Sequence, residues 1–469
     1  MQQKTTDGDS PVNGCEKVEA NRPPMQAPVQ AMGLLEALKK MQAGELATGV
    51  LAADSRRNAE ASQSWLHAFA CLNPAAPDPA AVGPLAGIPI GIKDLMATAD
   101  MVTSSGSPLH ADHVPAADAW VVARLRSLGA YVTGKTVTTE FAWRHPGLTC
   151  NPWNLAHTPG GSSSGSAAAV AAGLVSGALG TQTLGSIIRP AAFCGVVGVK
   201  PSFGAISRIG IQPLAGSLDH VGVFARSVSD AAWLLSWALG SASGEPQPAA
   251  VPPFAFAPEH GVLPWPRPHL ALMHTRMIDR ASPAQRELLH AKADALQSAG
   301  ARVRPMELPP EFDQVWTDIM VLIEAEAAVI HGAACDRDPS MLSAHIHGLV
   351  ERGRALRAET YLQARDRQQR LRAVFTRLLT AADGPDAILT LPAAGAAPAG
   401  LTDTGDASFC APWSFLGVPA IALPATLDAA GLPLGLQLVG GYRADLKLLR
   451  IARWCEPVLG FDAICPRRY

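Results

Sequence analysis

Small residues dominate residues 158–204, where the chain passes through two glycine- and serine-rich stretches. Residues 158–170 read Thr-Pro-Gly-Gly-Ser-Ser-Ser-Gly-Ser-Ala-Ala-Ala-Val, and residues 180–190 read Gly-Thr-Gln-Thr-Leu-Gly-Ser-Ile-Ile-Arg-Pro. Residues with little or no side chain allow backbone segments to approach one another closely. The composition therefore predicts closely packed backbone in this part of the molecule.

The rest of the chain alternates between short apolar runs and helical patterns. Runs of the strand type occupy residues 87–94, 131–134, 269–273, 387–391, 419–423 and 434–439. Apolar residues with helical spacing occupy residues 119–129 and 361–381. Because strands alternate with helices, an α/β core is predicted.

Changes in composition divide the chain into five segments. Residues 1–29 are polar and proline-rich, which predicts a mobile tail, and residues 30–245 form the first half of the core. Residues 246–268 hold eight prolines and are predicted to be a linker. Residues 269–385 are predicted to form a helical subdomain inserted into the core, and residues 386–469 return to the core sheet.

Overall composition excludes several classes of protein. The chain is 48% apolar and 17% charged with a net charge of −2, which is too apolar for disorder and lacks the basic patch of a nucleic-acid binder. No leader peptide and no uninterrupted apolar run of about 18 residues is found. The eight cysteines form no C-x-x-C pair, so no zinc site is predicted. These features predict a cytoplasmic protein that binds neither membrane nor metal.

Two catalytic motifs match the small-residue region only in part. Residues 161–165 fit G-x-S-x-G, the nucleophile elbow that would make Ser163 the nucleophile, but the segment before them contains two prolines and no strand pattern. Residues 180–186 resemble a phosphate-binding loop, but serine stands where that loop needs lysine. Neither the elbow nor nucleotide binding is favoured.

Lys93 lies in the apolar run 87–94, where an ammonium group is costly to bury. Burial without a carboxylate partner lowers the pKa of a lysine and favours its neutral form. Lys93 is therefore a candidate general base.

Taken together, the strand lysine, the Gly-Gly-Ser-Ser loop and the later Gly-Ser loop resemble the amidase signature family. The resemblance extends from about Leu34 to Glu456. The matching segments are residues 84–94, 134–141, 159–173, 180–201, 411–420 and 431–438. The resemblance implies a mixed β-sheet covered by helices on both faces, with a helical insertion.

The resemblance also implies a catalytic arrangement. Ser186 corresponds to the nucleophile, Ser162 to a serine that bridges nucleophile and base, and Lys93 to the base. Ser162 and Ser186 stand 24 residues apart, which is the separation found in the family. The backbone N–H groups of Thr183, Leu184, Gly185 and Ser186 correspond to the oxyanion hole, and the Gly161–Ser162 peptide bond is expected to be cis. No cofactor and no metal are implied.

Several neighbouring residues are predicted to have structural roles. Gln182 and Leu184 replace an aspartate and a glycine that are common in the family, and the arginine of the second loop is shifted by one position to Arg189. We expect Arg189 to hold its loop through an ion pair. Lys135 and Glu140 are expected to support the site without reacting. Asp94 is expected to bond away from Lys93, because neighbouring strand residues point to opposite faces.

Cofactor-free hydrolysis of carbon–nitrogen acyl bonds is the predicted function. Small or aryl amides are the first substrate class, with carbamates (urethanes) and esters next. One alternative is the glutaminase-type subunit of a tRNA-dependent amidotransferase, which would pass ammonia to another polypeptide of the complex. Another is an inactive scaffolding protein, which the presence of Lys93, Ser162 and Ser186 together disfavours. A small-molecule substrate and a monomer or homodimer are expected.

Overall fold

The structure is a computed structural model that describes residues 32–243, 245, 251–252, 254–256, 260–273 and 277–466. The predicted N-terminal tail, residues 1–29, lies outside the described residues. The same holds for parts of the predicted proline-rich linker. Among the described residues, no helix combines the length and the apolar composition that crossing a membrane requires.

Eleven strands in the described residues form a single sheet. In chain order the strands are β1 (Phe69–Leu72), β2 (Pro89–Lys93), β3 (Tyr131–Thr136), β4 (Gly177–Gln182), β5 (Val197–Lys200), β6 (His220–Ala225), β7 (His269–Met273), β8 (Arg302–Met306), β9 (Ala387–Thr390), β10 (Ala420–Leu427) and β11 (Pro433–Val439). Across the sheet they follow the order β1-β3-β2-β4-β6-β5-β10-β11-β9-β7-β8.

Twelve α-helices surround this sheet within the described residues. They are α1 (Leu34–Gln42), α2 (Val50–Ser62), α3 (Trp120–Ser127), α4 (Ser164–Ala171), α5 (Ile188–Cys194), α6 (Val228–Ala238), α7 (Pro283–Ser298), α8 (Val315–Arg337), α9 (Ala344–Ala355), α10 (Ala358–Thr380), α11 (Ala411–Leu416) and α12 (Asp445–Leu459).

Helices cover both faces of the sheet, and each face has its own apolar core. One core packs α1, α3, α6, α7 and α12 against the strands. The other packs α2, α4, α5 and the α8–α11 helices against the opposite face. Parallel pairs such as β2 with β3 and antiparallel pairs such as β4 with β6 occur in the same sheet. The predicted mixed α/β sheet is therefore confirmed.

Strands β1, β4, β5, β6 and β8 are not among the runs predicted from the sequence. The segment 269–385 contains the long helices α8, α9 and α10, the predicted strand β7 and the unpredicted strand β8, and both strands join the edge of the main sheet. Strand β8 was not predicted because it alternates charged and apolar residues over a short span and its side chains are partly or fully exposed. An edge strand of this kind lacks the apolar signal of a buried strand.

Strands β2 and β4 bring residues of the candidate site to the same edge of the sheet. These two strands are parallel neighbours, so their carboxyl ends lie at the same edge of the sheet. Lys93 ends β2 and Gln182 ends β4. Lys93, at the end of β2, is thereby placed beside the loop that follows β4.

Gly165 permits the close contact between α4 and the sheet edge. A Cβ atom at this position would lie 2.1 Å from the Ala68 carbonyl oxygen and 2.4 Å from the Val137 backbone nitrogen. These neighbours are backbone atoms, which cannot move aside as a flexible side chain can. The absence of a side chain here is therefore required by packing.

We expect Gly165→Ala to lower the free energy of unfolding by about 2–3 kcal/mol, because the backbone must shift to admit the methyl group. Gly441→Ala is the matched control, since its added Cβ would meet nothing closer than 3.6 Å. Urea denaturation of both variants measures the difference. Equal stability of the two variants would contradict the packing argument.

Candidate active site

Lys93 is fully buried at the end of β2. Its Nζ lies 2.7 Å from Ser162 Oγ, 2.7 Å from Thr181 Oγ1 and 3.4 Å from the Thr181 carbonyl oxygen. No carboxylate forms an ion pair with it among the described residues. Burial lowers the pKa of Lys93 well below its ordinary value of 10.5, and the charge of Asp219 opposes this shift. Lys93 is thus an amine held in contact with a serine hydroxyl.

Ser162 occupies the turn that leads into α4. The peptide bond between Gly161 and Ser162 is cis. Ser162 is 3% exposed and its hydroxyl is directed to Lys93. The small residues of α4 pack against β2, β3 and β4, which brings this turn to the carboxyl ends of the strands.

The loop of residues 183–186 connects β4 to α5 and ends at Ser186, which is 7% exposed. The four backbone N–H groups of this loop have no hydrogen-bond acceptor within the described part of the chain. Backbone N–H groups without a protein acceptor are available to bind an oxyanion. The loop therefore places N–H groups without a protein acceptor next to Ser186.

Ser162 and Ser186 line the same cavity, which has a volume of about 370 Å³. Thr183 and Leu184 form part of its wall, and the remaining lining includes aromatic and charged side chains from distant segments. These are Trp143, Arg144, Arg280, Trp316, His345, Asp403 and Asp406. Lys93 is reached from the cavity through Ser162. The three predicted catalytic side chains are thus brought to one place.

Arg189 holds two loops of the site together. Its guanidinium donates to the carbonyl oxygens of Gly161 and Gly405, both at 2.7 Å, and to Thr404 Oγ1 at 3.2 Å. The expected ion pair is wrong, because the acceptors are two carbonyls and a hydroxyl. The expected loop-holding role matches these contacts, since the carbonyl dipoles of two separate loops converge on one guanidinium.

The supporting residues bind protein groups outside the cavity. Lys135 Nζ lies 3.1 Å from Asp94 Oδ1, and Asp94 also accepts from the Ser104 backbone N–H at 3.1 Å. The prediction that Asp94 bonds away from Lys93 is confirmed. Glu140 accepts from Ser107 Oγ at 2.8 Å and is 1% exposed. These contacts support a structural role for Lys135 and Glu140.

Ser163, the serine of the elbow hypothesis, points into the protein. It is fully buried, donates to the Thr181 carbonyl oxygen at 3.1 Å and does not line the cavity. No strand precedes it between residues 145 and 162. The structure therefore does not support Ser163 as a nucleophile.

Several residues of the site were not identified from the sequence. Thr181 binds Lys93, and Asp219 accepts from Thr183 Oγ1 at 2.6 Å. Arg144 and Trp316 line the cavity from two unrelated segments. An unusual backbone accompanies Arg144, because Phe141, Ala142 and Arg144 all have positive φ angles of 45–63°. Nothing in their residue types signals such a conformation, which is uncommon for residues other than glycine.

Comparisons with known proteins agree on the family. A family model described as Amidase matches residues 54–449. A Mycobacterium tuberculosis (strain ATCC 25618 / H37Rv) protein with the name amidase AmiD is 34% identical over an alignment of 396 positions, and the match covers 81% of each chain. A glutamyl-tRNA(Gln) amidotransferase subunit of Synechococcus sp. (strain CC9605) is 32% identical, covering 89% of this chain and 94% of the relative.

A solved structure shows the same fold. The native peptide amidase from Stenotrophomonas maltophilia matches with a TM-score of 0.78 and 28% identity. The match covers 95% of this chain and 100% of the peptide amidase chain. The sequence and structure comparisons therefore point to the same family over most of the chain.

Proposed function

This chain belongs to the amidase family of hydrolases that act on carbon–nitrogen bonds, and from that membership we propose that it cleaves small amides through an acyl-enzyme on Ser186. The observation that carries the proposal is the buried Lys93 amine, 2.7 Å from Ser162 Oγ, beside the cavity that Ser186 lines. A serine hydroxyl is a weak nucleophile until a base removes its proton. This arrangement supplies such a base through a second serine.

A neutral Lys93 amine can also be accommodated by the contacts of its Nζ. Thr181 offers Nζ two acceptors, its hydroxyl and its carbonyl oxygen. A neutral amine has two N–H donors and one lone pair, so with both donors directed to Thr181 the lone pair is left for the Ser162 hydroxyl proton. Thr181 therefore orients the base toward Ser162.

In the proposed reaction, Ser186 Oγ attacks the amide carbonyl carbon and gives its proton to Ser162 Oγ, while the Ser162 proton passes to Lys93 Nζ. The resulting oxyanion accepts hydrogen bonds from N–H groups of the 183–186 loop. As the carbon–nitrogen bond breaks, the proton returns from Lys93 through Ser162 to the leaving amine. The products of this half-reaction are the free amine and an ester of Ser186.

Water completes the cycle by the same route. The relay takes a proton from water as the hydroxide attacks the ester carbonyl, and it returns the proton to Ser186 Oγ as the acid leaves. If the substrate is a carbamate, cleavage of its carbon–nitrogen bond releases the amine and then a carbonic acid monoester, which decomposes to an alcohol and CO₂. An ester substrate differs only in releasing an alcohol instead of an amine.

The size and lining of the cavity support small substrates. A volume of about 370 Å³ lies at the lower end of the range of ligand pockets, roughly 300–1,000 Å³. Trp143 and Trp316 both line it, and an aryl group packs favourably against such rings. Aryl amides of small acids are accordingly the first substrate class, with aryl carbamates and esters next.

A panel of four substrates tests this proposal: an aryl amide, an aryl carbamate, an aryl ester and glutamine, each offered to the purified chain alone. We expect the aryl amide to release acid and amine in equal amounts without any added partner or cofactor. Chromatographic quantification of both products is the measurement. If the chain cleaves none of the three aryl compounds, the proposal is refuted.

The second candidate function is the glutaminase-type subunit of a tRNA-dependent amidotransferase. The relative that favours it is the Synechococcus amidotransferase protein, which aligns with 89% of this chain. This candidate predicts that glutamine alone of the four substrates is hydrolysed, and that partner polypeptides copurify with the chain. Hydrolysis of an aryl amide with no activity on glutamine would exclude it.

A further inference from the structure

We propose that Gln182 and Ser414 are positioning residues that set the orientation of the 183–186 loop and hence of its N–H groups. This inference rests on the proposed function, because it assigns the loop to oxyanion binding. The two residues are 232 positions apart and both are fully buried. They lie behind the loop and do not line the cavity that contains Ser186.

The Gln182 side chain forms hydrogen bonds with the backbone that follows the loop. It is the last residue of β4, and its side-chain Oε1 accepts from the backbone N–H groups of Ile187 and Ile188 at 2.8 and 3.0 Å. These N–H groups belong to the start of α5, where the helix itself supplies no acceptor. The Gln182 side chain thereby connects the residue before the loop to the residues after it.

Ser414 extends this connection into the middle of the loop. Gln182 Nε2 donates to Ser414 Oγ at 3.0 Å, and Ser414 Oγ donates to the Leu184 carbonyl oxygen at 2.5 Å. The hydroxyl can donate to Leu184 because the amide of Gln182 supplies the donor that it accepts. The chain of hydrogen bonds has one direction, from Gln182 through Ser414 to Leu184.

The Leu184 carbonyl determines where the next N–H group points. In a planar trans peptide the carbonyl oxygen and the following N–H are directed to opposite sides. Anchoring the Leu184 oxygen on Ser414 therefore directs the Gly185 N–H away from Ser414. The Gly185 carbonyl in turn accepts from the Arg189 N–H at 2.9 Å, so the Ser186 N–H is directed away from α5. The Gly185 N–H therefore points away from Ser414, and the Ser186 N–H points away from α5.

Gln182→Glu isolates the role of the side-chain amide. When ionised, glutamate keeps an acceptor for Ile187 and Ile188 and has the same shape, but it has no hydrogen to donate to Ser414. The Ser414 hydroxyl then donates to the carboxylate, because a hydrogen bond to an ionised acceptor is stronger than one to a carbonyl. Leu184 loses its anchor although no atom of the loop has been changed.

The test is the rate at which a fluorophosphonate labels Ser186. In this reaction Ser186 Oγ displaces fluoride from phosphorus, and the phosphoryl oxygen gains negative charge in the transition state, where the same N–H groups would stabilise it. We expect Ser414→Ala and Gln182→Glu to be labelled about 10- to 100-fold more slowly than the wild type, on the scale of a weakened oxyanion donor. Ser414→Thr keeps the hydroxyl and should recover a rate close to that of the wild type. Mass spectrometry of the labelled peptide over time gives the rates.

Ser408→Ala is the matched control for removing a buried serine hydroxyl, because Ser408 Oγ is buried without a hydrogen-bond partner among the described residues. It should be labelled at the wild-type rate. Labelling of Ser414→Ala and Gln182→Glu at the wild-type rate would overturn the positioning role while leaving the proposed function intact. A wild type that is not labelled at Ser186 would overturn both. If Ser414→Ala does not fold, the Gln182→Glu and Ser414→Thr pair decides the question.

Discussion

Ser186→Ala is expected to abolish hydrolysis of the aryl amide, lowering kcat by about 10⁴-fold or more, as when the nucleophile of a serine hydrolase is removed. Ser163→Ala should keep most of the wild-type activity. Both serines lie in glycine-rich segments, but only Ser186 lines the cavity. Ser163 is fully buried and donates to the Thr181 carbonyl oxygen.

The pair of variants separates the two possible nucleophiles. Steady-state hydrolysis of the aryl amide, measured at equal concentrations of folded enzyme, gives kcat for each. Covalent labelling locates the nucleophile independently, since the modified peptide contains residue 186 or residue 163. An inactive Ser163→Ala beside an active Ser186→Ala would show that the elbow hypothesis was right.

Lys93→Met is expected to have a similarly large effect, because it removes the only amine that contacts Ser162 among the described residues. We expect a loss of about 10⁴-fold in kcat, since nucleophile and base act as a unit. Methionine fills a similar volume without a charge or a lone pair that accepts the Ser162 proton. Circular dichroism checks that the variant is folded, and residual activity within tenfold of the wild type would contradict the role of base.

The pH profile of the wild type provides a second test of Lys93. The proposed base works only in its neutral form, and burial lowers the pKa of Lys93 well below 10.5. Activity should therefore rise with pH through that lowered pKa and reach its plateau below the pH at which an ordinary lysine loses its proton. Lys93→Arg carries a side chain that stays protonated, so it should be inactive across the whole range.

A profile that falls with rising pH over the same interval would show that the protonated form is the active one. Such a result would remove Lys93 from the role of base even if Lys93→Met is inactive. The two Lys93 experiments therefore test different statements. The substitution tests whether the residue is needed, and the profile tests which protonation state acts.

Local patterns in the sequence were sufficient for much of the fold. The apolar runs at residues 87–94, 131–134 and 434–439 correspond to β2, β3 and β11, because a buried strand needs continuous apolar residues. Edge strand β8 escaped prediction because half-exposed residues leave no such signal. A single chain carries no local record of which strands become neighbours, so the order of the sheet was not predicted.

The amino-acid sequence by itself was enough to predict Lys93, Ser162 and Ser186 as the candidate catalytic groups, because their motifs are local and the roles follow from the resemblance to the amidase signature family. Tertiary structure alone decided how these groups are held. Thr181, Asp219 and Ser414 became visible only when strands and helices were packed, and Arg189 proved to bind carbonyl oxygens instead of a carboxylate. The physical reason is that a hydrogen bond depends on distances of about 3 Å between residues up to hundreds of positions apart, which only the complete packing sets.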